Sequence, residues 1–127
     1  EGAGAVSVAA AMFDKVPVAQ KNVVCVVSGG NIDVNILSRV ISRGLMMEDR
    51  RITITLEMDD THGRLARACQ IVSECGGNIL EVMPDRGASN SAINKAFVTF
   101  ELEMRDAAQS RTLRETFEAV GYALVRQ

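Results

Sequence analysis

Two stretches of strict alternation, far apart in the sequence, limit what this chain can become. In RITITLEMD, from Arg51, the residues Ile52, Ile54, Leu56 and Met58 fall on one side and Thr53, Thr55 and Glu57 on the other. In KAFVTFELEM, Ala96, Val98, Phe100, Leu102 and Met104 alternate with Thr99, Glu101 and Glu103. A period of two puts one row on a buried face and the other on an open face, so both stretches predict strands of a sheet covered on one side only. Between them, GRLARACQIVSEC sets Leu65, Ala68, Cys69 and Val72 on one helical face, and Gly76-Gly77 stops that helix ahead of a strand NILEVMPD. The polar loop GASNSAIN then makes a hairpin with the second alternating strand. After it, DAAQSRTLRETFEAVG repeats helical spacing at Leu113, Thr116, Phe117 and Val120, closes at Gly121, and leads into YALVRQ as a last strand.

From residue 51 the predicted order is strand, helix, strand, strand, helix, strand. This is the split β-α-β arrangement of a ferredoxin-like α+β domain, in which both helices cover one face of an antiparallel sheet of four strands. Residues 1–48 obey a different pattern and predict an α/β segment. EGAGAVSVAAAMF is rich in small helix formers, DKVPVAQKN carries Pro17 and reads as a connector, and NVVCVV lacks alternation, as a strand covered on both faces does. In NIDVNILSRVISR, Ile36, Leu37, Val40 and Ile41 share a helical face, with Asn31 or Asp33 to cap the start and Gly44 to end it. The expectation for 1–48 is helix, strand, helix; the strand at 22–28 must be covered by another chain, by the domain that follows residue 48, or by disorder, and an oligomer is expected.

A formal charge of −2 and a pI near 5.4 supply no basic field for nucleic acid, and one Tyr, four Phe and no Trp leave few bases to stack on. Cys25, Cys69 and Cys75 match neither a zinc pair nor a disulfide framework and read as reduced thiols of a cytoplasmic protein. No basic segment precedes the first apolar stretch, so it is not a signal peptide, and no apolar run approaches the ~20 residues that span a bilayer. A start at Glu1, inside a predicted helix, suggests a piece of a larger protein; processing of a small intact protein is the alternative.

Few residues invite chemistry. His62, the single histidine, lies with Asp59 and Asp60 in DDTHGRL, but no second His or Cys stands at ligand spacing, and such residues serve a turn and a helix start equally well. Lys15, Lys21 and Lys95 lie in connector or strand-edge settings, Met46-Met47 reads as packing, and Glu57, Glu101 and Glu103 read as a wet sheet face. VVSGGNID, at Val26–Asp33, joins the predicted strand to a helix through two glycines, a corner that suits an anion or merely turns. It has neither the lysine and spacing of a phosphate-binding loop nor the third glycine of a dinucleotide fingerprint.

KNVVCVVSGGNIDVNILSRVISRGL, with EGAGAVSVAA ahead of it, resembles the C-terminal part of the catalytic domain of threonine dehydratases (threonine ammonia-lyases), pyridoxal-phosphate enzymes of the tryptophan-synthase β-like fold. RITITLEMDDTHGRLARACQIVSECGGNILEV resembles the ACT domain that follows it in many of them, in element order and in GGNI. The resemblance implies a PLP-domain segment at 1–48 and a regulatory ACT domain at 49–127. It further implies that Ser28 turns its hydroxyl to the cofactor's pyridine nitrogen, that Gly29 and Gly30 permit close approach, and that Glu1 stands in the nearby wall. A hydroxyl there donates to a neutral nitrogen and moderates the electron sink, which suits loss of a β-hydroxyl. The family's Schiff-base lysine and phosphate cradle fall outside these residues. The catalytic set is therefore incomplete, pyridoxal phosphate belongs to a full-length parent that converts L-threonine to 2-oxobutanoate and ammonia, and this chain alone is expected to be inactive.

For the ACT part the resemblance implies pairing into a homo-oligomer and regulation by a branched-chain amino acid, isoleucine or valine, bordered by Asp60, His62, Gly63, Leu65 and Asn78. Family members usually read Asp-Arg-Pro-Gly-Ala-Leu at that turn, where this chain reads Asp60-Thr61-His62-Gly63-Arg64-Leu65. The other reading is a self-contained amino-acid-binding ACT dimer in which the first 48 residues are only an assembly arm.

Overall fold

A computed structural model describes residues 1–86 and 94–125. Its elements are α1 (Gly2–Met12), α2 (Val34–Met47), β1 (Arg51–Asp59), α3 (Arg64–Glu74), β2 (Asn78–Asp85), β3 (Lys95–Glu103), α4 (Ala107–Ala119) and β4 (Ala123–Val125). By packing, the chain divides into Glu1–Ile41 and a second unit from Ser42 onward.

In the second unit the sheet runs β2-β3-β1-β4, antiparallel throughout. β1 and β3 pair in an unbroken register from Arg51 opposite Glu103 to Asp59 opposite Lys95. That register places Ile52, Ile54, Leu56 and Met58 directly across from Leu102, Phe100, Val98 and Ala96, so the two apolar rows form one face. α3 covers it with Ala68, Ile71 and Val72, α4 with Leu113 and Phe117, and Tyr122 closes the cluster. The Phe117 ring meets Tyr122 edge-on at 5.6 Å and Phe100 at 6.5 Å, favourable arrangements for aromatic quadrupoles.

On the open face, the Arg51 guanidinium holds the Glu101 carboxylate at 2.6 Å, the Thr55 and Thr99 hydroxyls bond at 2.9 Å, and Lys95 reaches Asp59 at 2.9 Å. The outer strand β2 slips by one residue against β3 between Ile79 and Glu81, leaving Leu80 as a bulge. α4 starts on the Asp106 side chain, which accepts from the Gln109 N–H at 2.9 Å, and its buried Ser110 donates to the Asp49 carbonyl at 2.8 Å. The expected loop GASNSAIN lies, apart from Asn94, outside the described residues, as do the last two residues of YALVRQ.

The first unit departs from expectation in its middle. NVVCVV forms no strand: residues 22–28 run without a ladder, and Val24, Val26 and Val27 are exposed. An apolar run becomes a strand only where other strands take up its N–H and C=O groups, and among the described residues no strand pairs with it. Two side-chain bonds tie it to α1, from Ser7 Oγ to the Val26 carbonyl at 2.9 Å and from Cys25 Sγ to the Ser7 carbonyl at 3.6 Å. A strand at 22–28 would have to be completed by another chain. Gly44 does not end α2, which continues to Met47; a glycine inside a helix costs only about 1 kcal/mol and is carried by the turns around it. Its start is capped as expected at Asp33, whose Oδ1 accepts from the Asn35 N–H at 2.7 Å.

Candidate functional site

β1 ends at Asp59 and α3 begins at Arg64, and the short turn between them borders a concave place in the second unit. Gly63 supports the turn with φ at +86°, a conformation that side chains other than glycine strain to adopt. A cavity of about 200 Å³ opens against this turn. Its walls are the turn residues Asp59 to Leu65, the β1 residue Met58, Ala96 and Val98 of β3, Pro84 of β2, and Arg86 just beyond β2.

The charges around the cavity are mostly matched. Arg86 Nε donates to both Asp60 oxygens, at 3.1 and 3.0 Å, and so fastens the end of β2 to the turn. The Lys95 ammonium bonds Asp59 and holds its carboxyl below the usual carboxylate range. Arg64 lies over the Tyr122 ring, its guanidinium carbon 4.4 Å from the ring centroid, while Tyr122 Oη donates to the Arg64 carbonyl at 2.8 Å. The cavity thus presents apolar walls with both signs of charge at one end, an inventory suited to a small zwitterion.

Four of the residues expected at an effector site, Asp60, His62, Gly63 and Leu65, line this cavity together. Asn78 does not: it begins β2 opposite Glu103, at the other end of the sheet, and its amide donates to the Glu103 carboxylate at 3.3 Å. Arg86, Pro84 and the β3 residues were not anticipated. The register carries the missing signal, because pairing of Asp59 with Lys95 and of Asp85 with Phe97 brings the end of β2 beside the β1–α3 turn.

In the first unit, the corner at Ser28–Asn31 does bind an anion, and the anion is a side chain. Glu1 Oε2 accepts from the Gly30 and Asn31 N–H groups, each at 2.9 Å, and these bonds, that from Asn31 foremost, lower the Glu1 pKa. Gly29 has φ at +90°, and a Cβ there would stand 2.7 Å from the Glu1 carboxylate. A Cβ on Gly4 would strike the Ser28 carbonyl at 2.5 Å, so α1 and the corner meet backbone to backbone. Ser28 itself is exposed, and its hydroxyl has no bond among the described residues. For pyridoxal phosphate this geometry fits one contact, a hydroxyl free to meet the ring nitrogen. The backbone donors at this corner, the Gly30 and Asn31 N–H groups, are occupied by Glu1 and not open to a phosphate.

No protein-family model matches the chain. It is 40% identical over 122 residues to the L-threonine ammonia-lyase of Thermotoga maritima and 38% identical over 122 residues to that of Geobacter sulfurreducens. Each match covers 96% of this chain, which spans only 30% of the length of either relative. A protein of Staphylococcus epidermidis described as biosynthetic L-threonine dehydratase IlvA is 37% identical over 65 residues, covering 51% of this chain and 15% of that protein.

Proposed function

Starting from the chain as a C-terminal-type portion of a threonine dehydratase, we propose that it joins the end of a pyridoxal-phosphate catalytic domain to an ACT domain that senses a branched-chain amino acid. The parent reaction is deamination of L-threonine to 2-oxobutanoate and ammonia, in the cytoplasm. The boundary is read at residues 48 and 49, and the four-stranded unit is read as a ferredoxin-like ACT fold, which its strand order β2-β3-β1-β4 supports.

The observation that carries the regulatory reading is the cavity at the β1–α3 turn. Asp60 can hold an ammonium group if it exchanges its bond with Arg86, and Met58, Leu65 and Val98 can receive a short alkyl chain. Because Arg86 follows β2 directly, any ligand that competes for Asp60 alters how β2 is fastened to the turn, which is the differential contact an effector needs. Calorimetry with isoleucine, valine and threonine tests it: heat of binding is expected with a branched-chain amino acid, and its absence with all three counts against the reading.

When bound in the parent, pyridoxal phosphate supplies the electron sink for removing the α-proton and the β-hydroxyl. This chain's part is to present Ser28 to the ring nitrogen from a corner held by Gly29, Gly30 and Glu1. It orients one edge of the cofactor and contains no complete catalytic set. Adding pyridoxal phosphate to the 127-residue chain should therefore give no stoichiometric imine absorbance.

The stand-alone ACT dimer stays in view because the second unit packs around a core of its own. The length of the gene separates the two readings, since the enzyme requires upstream sequence with a Ser-x-Lys segment.

A further inference from the structure

Among the described residues, Arg64 lines the β1–α3 cavity with no carboxylate bonded to it, although its charge acts on nearby Asp59; Arg86 is held by Asp60. The Arg64 Nε is buried with no hydrogen-bond acceptor. The guanidinium is also stacked on Tyr122, whose hydroxyl donates to the Arg64 carbonyl. A buried donor left without a partner is costly, and one attached to a permanent cation recruits an anionic oxygen above any neutral acceptor. α3 adds to the demand, since it starts at Gly63 without any side-chain cap for its first-turn N–H groups.

We propose that Arg64 is the carboxylate anchor of this cavity and that its ligand class is the small aliphatic carboxylates. The guanidinium fork matches a carboxylate in plane and spacing, and the apolar walls at Met58, Leu65 and Val98 take the alkyl group that follows it. The inference rests on the effector reading for the ligand's ammonium group, which Asp60 would receive, and is independent of it for the carboxylate.

The test follows the Arg64 Nε–H resonance in the isotope-labelled 127-residue chain, assigned by its loss in R64K, during titration with L-valine, isovalerate and valinol. Valine and isovalerate share the carboxylate, whereas valinol keeps the ammonium and the alkyl group alone. Valine is expected to move the resonance and valinol to leave it, and R64M is expected to weaken valine binding by about tenfold or more, as loss of one charge-assisted bond does. Valine bound equally well by R64M and the parent chain overturns the anchor and leaves the effector reading standing. Isovalerate bound as tightly as valine does the reverse, supporting the anchor against an amino-acid effector. A resonance moved by inorganic phosphate but by neither carboxylate overturns the proposal. The Nε readout is made on the unsubstituted chain, so it holds even if a variant fails to fold.

Discussion

Asp59 and Gly29 show how single positions answer to their surroundings. Lys95 donates to Asp59 at 2.9 Å and keeps its carboxyl below the ordinary 3.8. A carboxylate whose folded pKa is lowered contributes stability above its unfolded value, and that contribution is lost as pH falls through the folded one. Thermal midpoints measured downward from pH 3.8 should therefore fall more steeply for the parent chain than for D59N, and added salt should shrink the difference because the pair is exposed. Gly29→Ala would place a methyl group against Glu1 in a strained conformation. It is expected to perturb amide resonances of residues 1–33 while leaving those of β1 and β3 unmoved. At this scale His62, Gly63 and Leu65 are legible as neighbours because they share one turn. Arg86 is not, since it joins them only through the pairing of β2, and neither is the position of Asn78, which starts that strand a whole strand's length from the turn.

Between elements, the energetics concentrate on β1, which is central and carries its apolar row into both helices. Leu56→Ala should cost about 2–5 kcal/mol in denaturant unfolding, the range for a buried leucine that leaves a cavity. Ser110→Ala should cost about 0.5–1.5 kcal/mol by removing the donor to the Asp49 carbonyl, a smaller effect because one hydrogen bond is lost from a carbonyl near the surface. Helices and alternating strands were legible because amphipathic periods are written residue by residue. NVVCVV was misleading for the converse reason: its composition states a preference for burial, but strand formation depends on partners that its own letters do not name. The bulge at Leu80 left no mark in the sequence, since slipping by one residue depends on the strand beside it.

Over the whole molecule, apolar surface is unevenly distributed. Val6, Met12, Phe13, Val24, Val34 and Val40 are among many exposed hydrophobics in the first 41 residues, whereas the second unit encloses a continuous cluster. Hydrogen exchange should reflect this, with amides of β1 and β3 protected to the level of global unfolding, those of residues 22–28 exchanging within the dead time, and those of Gly30 and Asn31 slowed by their bonds to Glu1. Expressed alone, the segment from Ser42 onward should melt cooperatively near the midpoint of the parent chain; loss of that transition would show that its core draws on the first unit.

The displaced Leu80 has a further consequence for how copies of this chain behave when crowded. An outer strand that kinks at a bulge and then meets Pro84, which has no N–H to offer, presents an interrupted row of donors to any incoming strand. The opposite margin, β4, is three residues long among the described residues. Neither border is a template on which the sheet can be extended indefinitely, so concentrated solutions should stay negative for amyloid dyes even where light scattering reports clustering of the oily first unit.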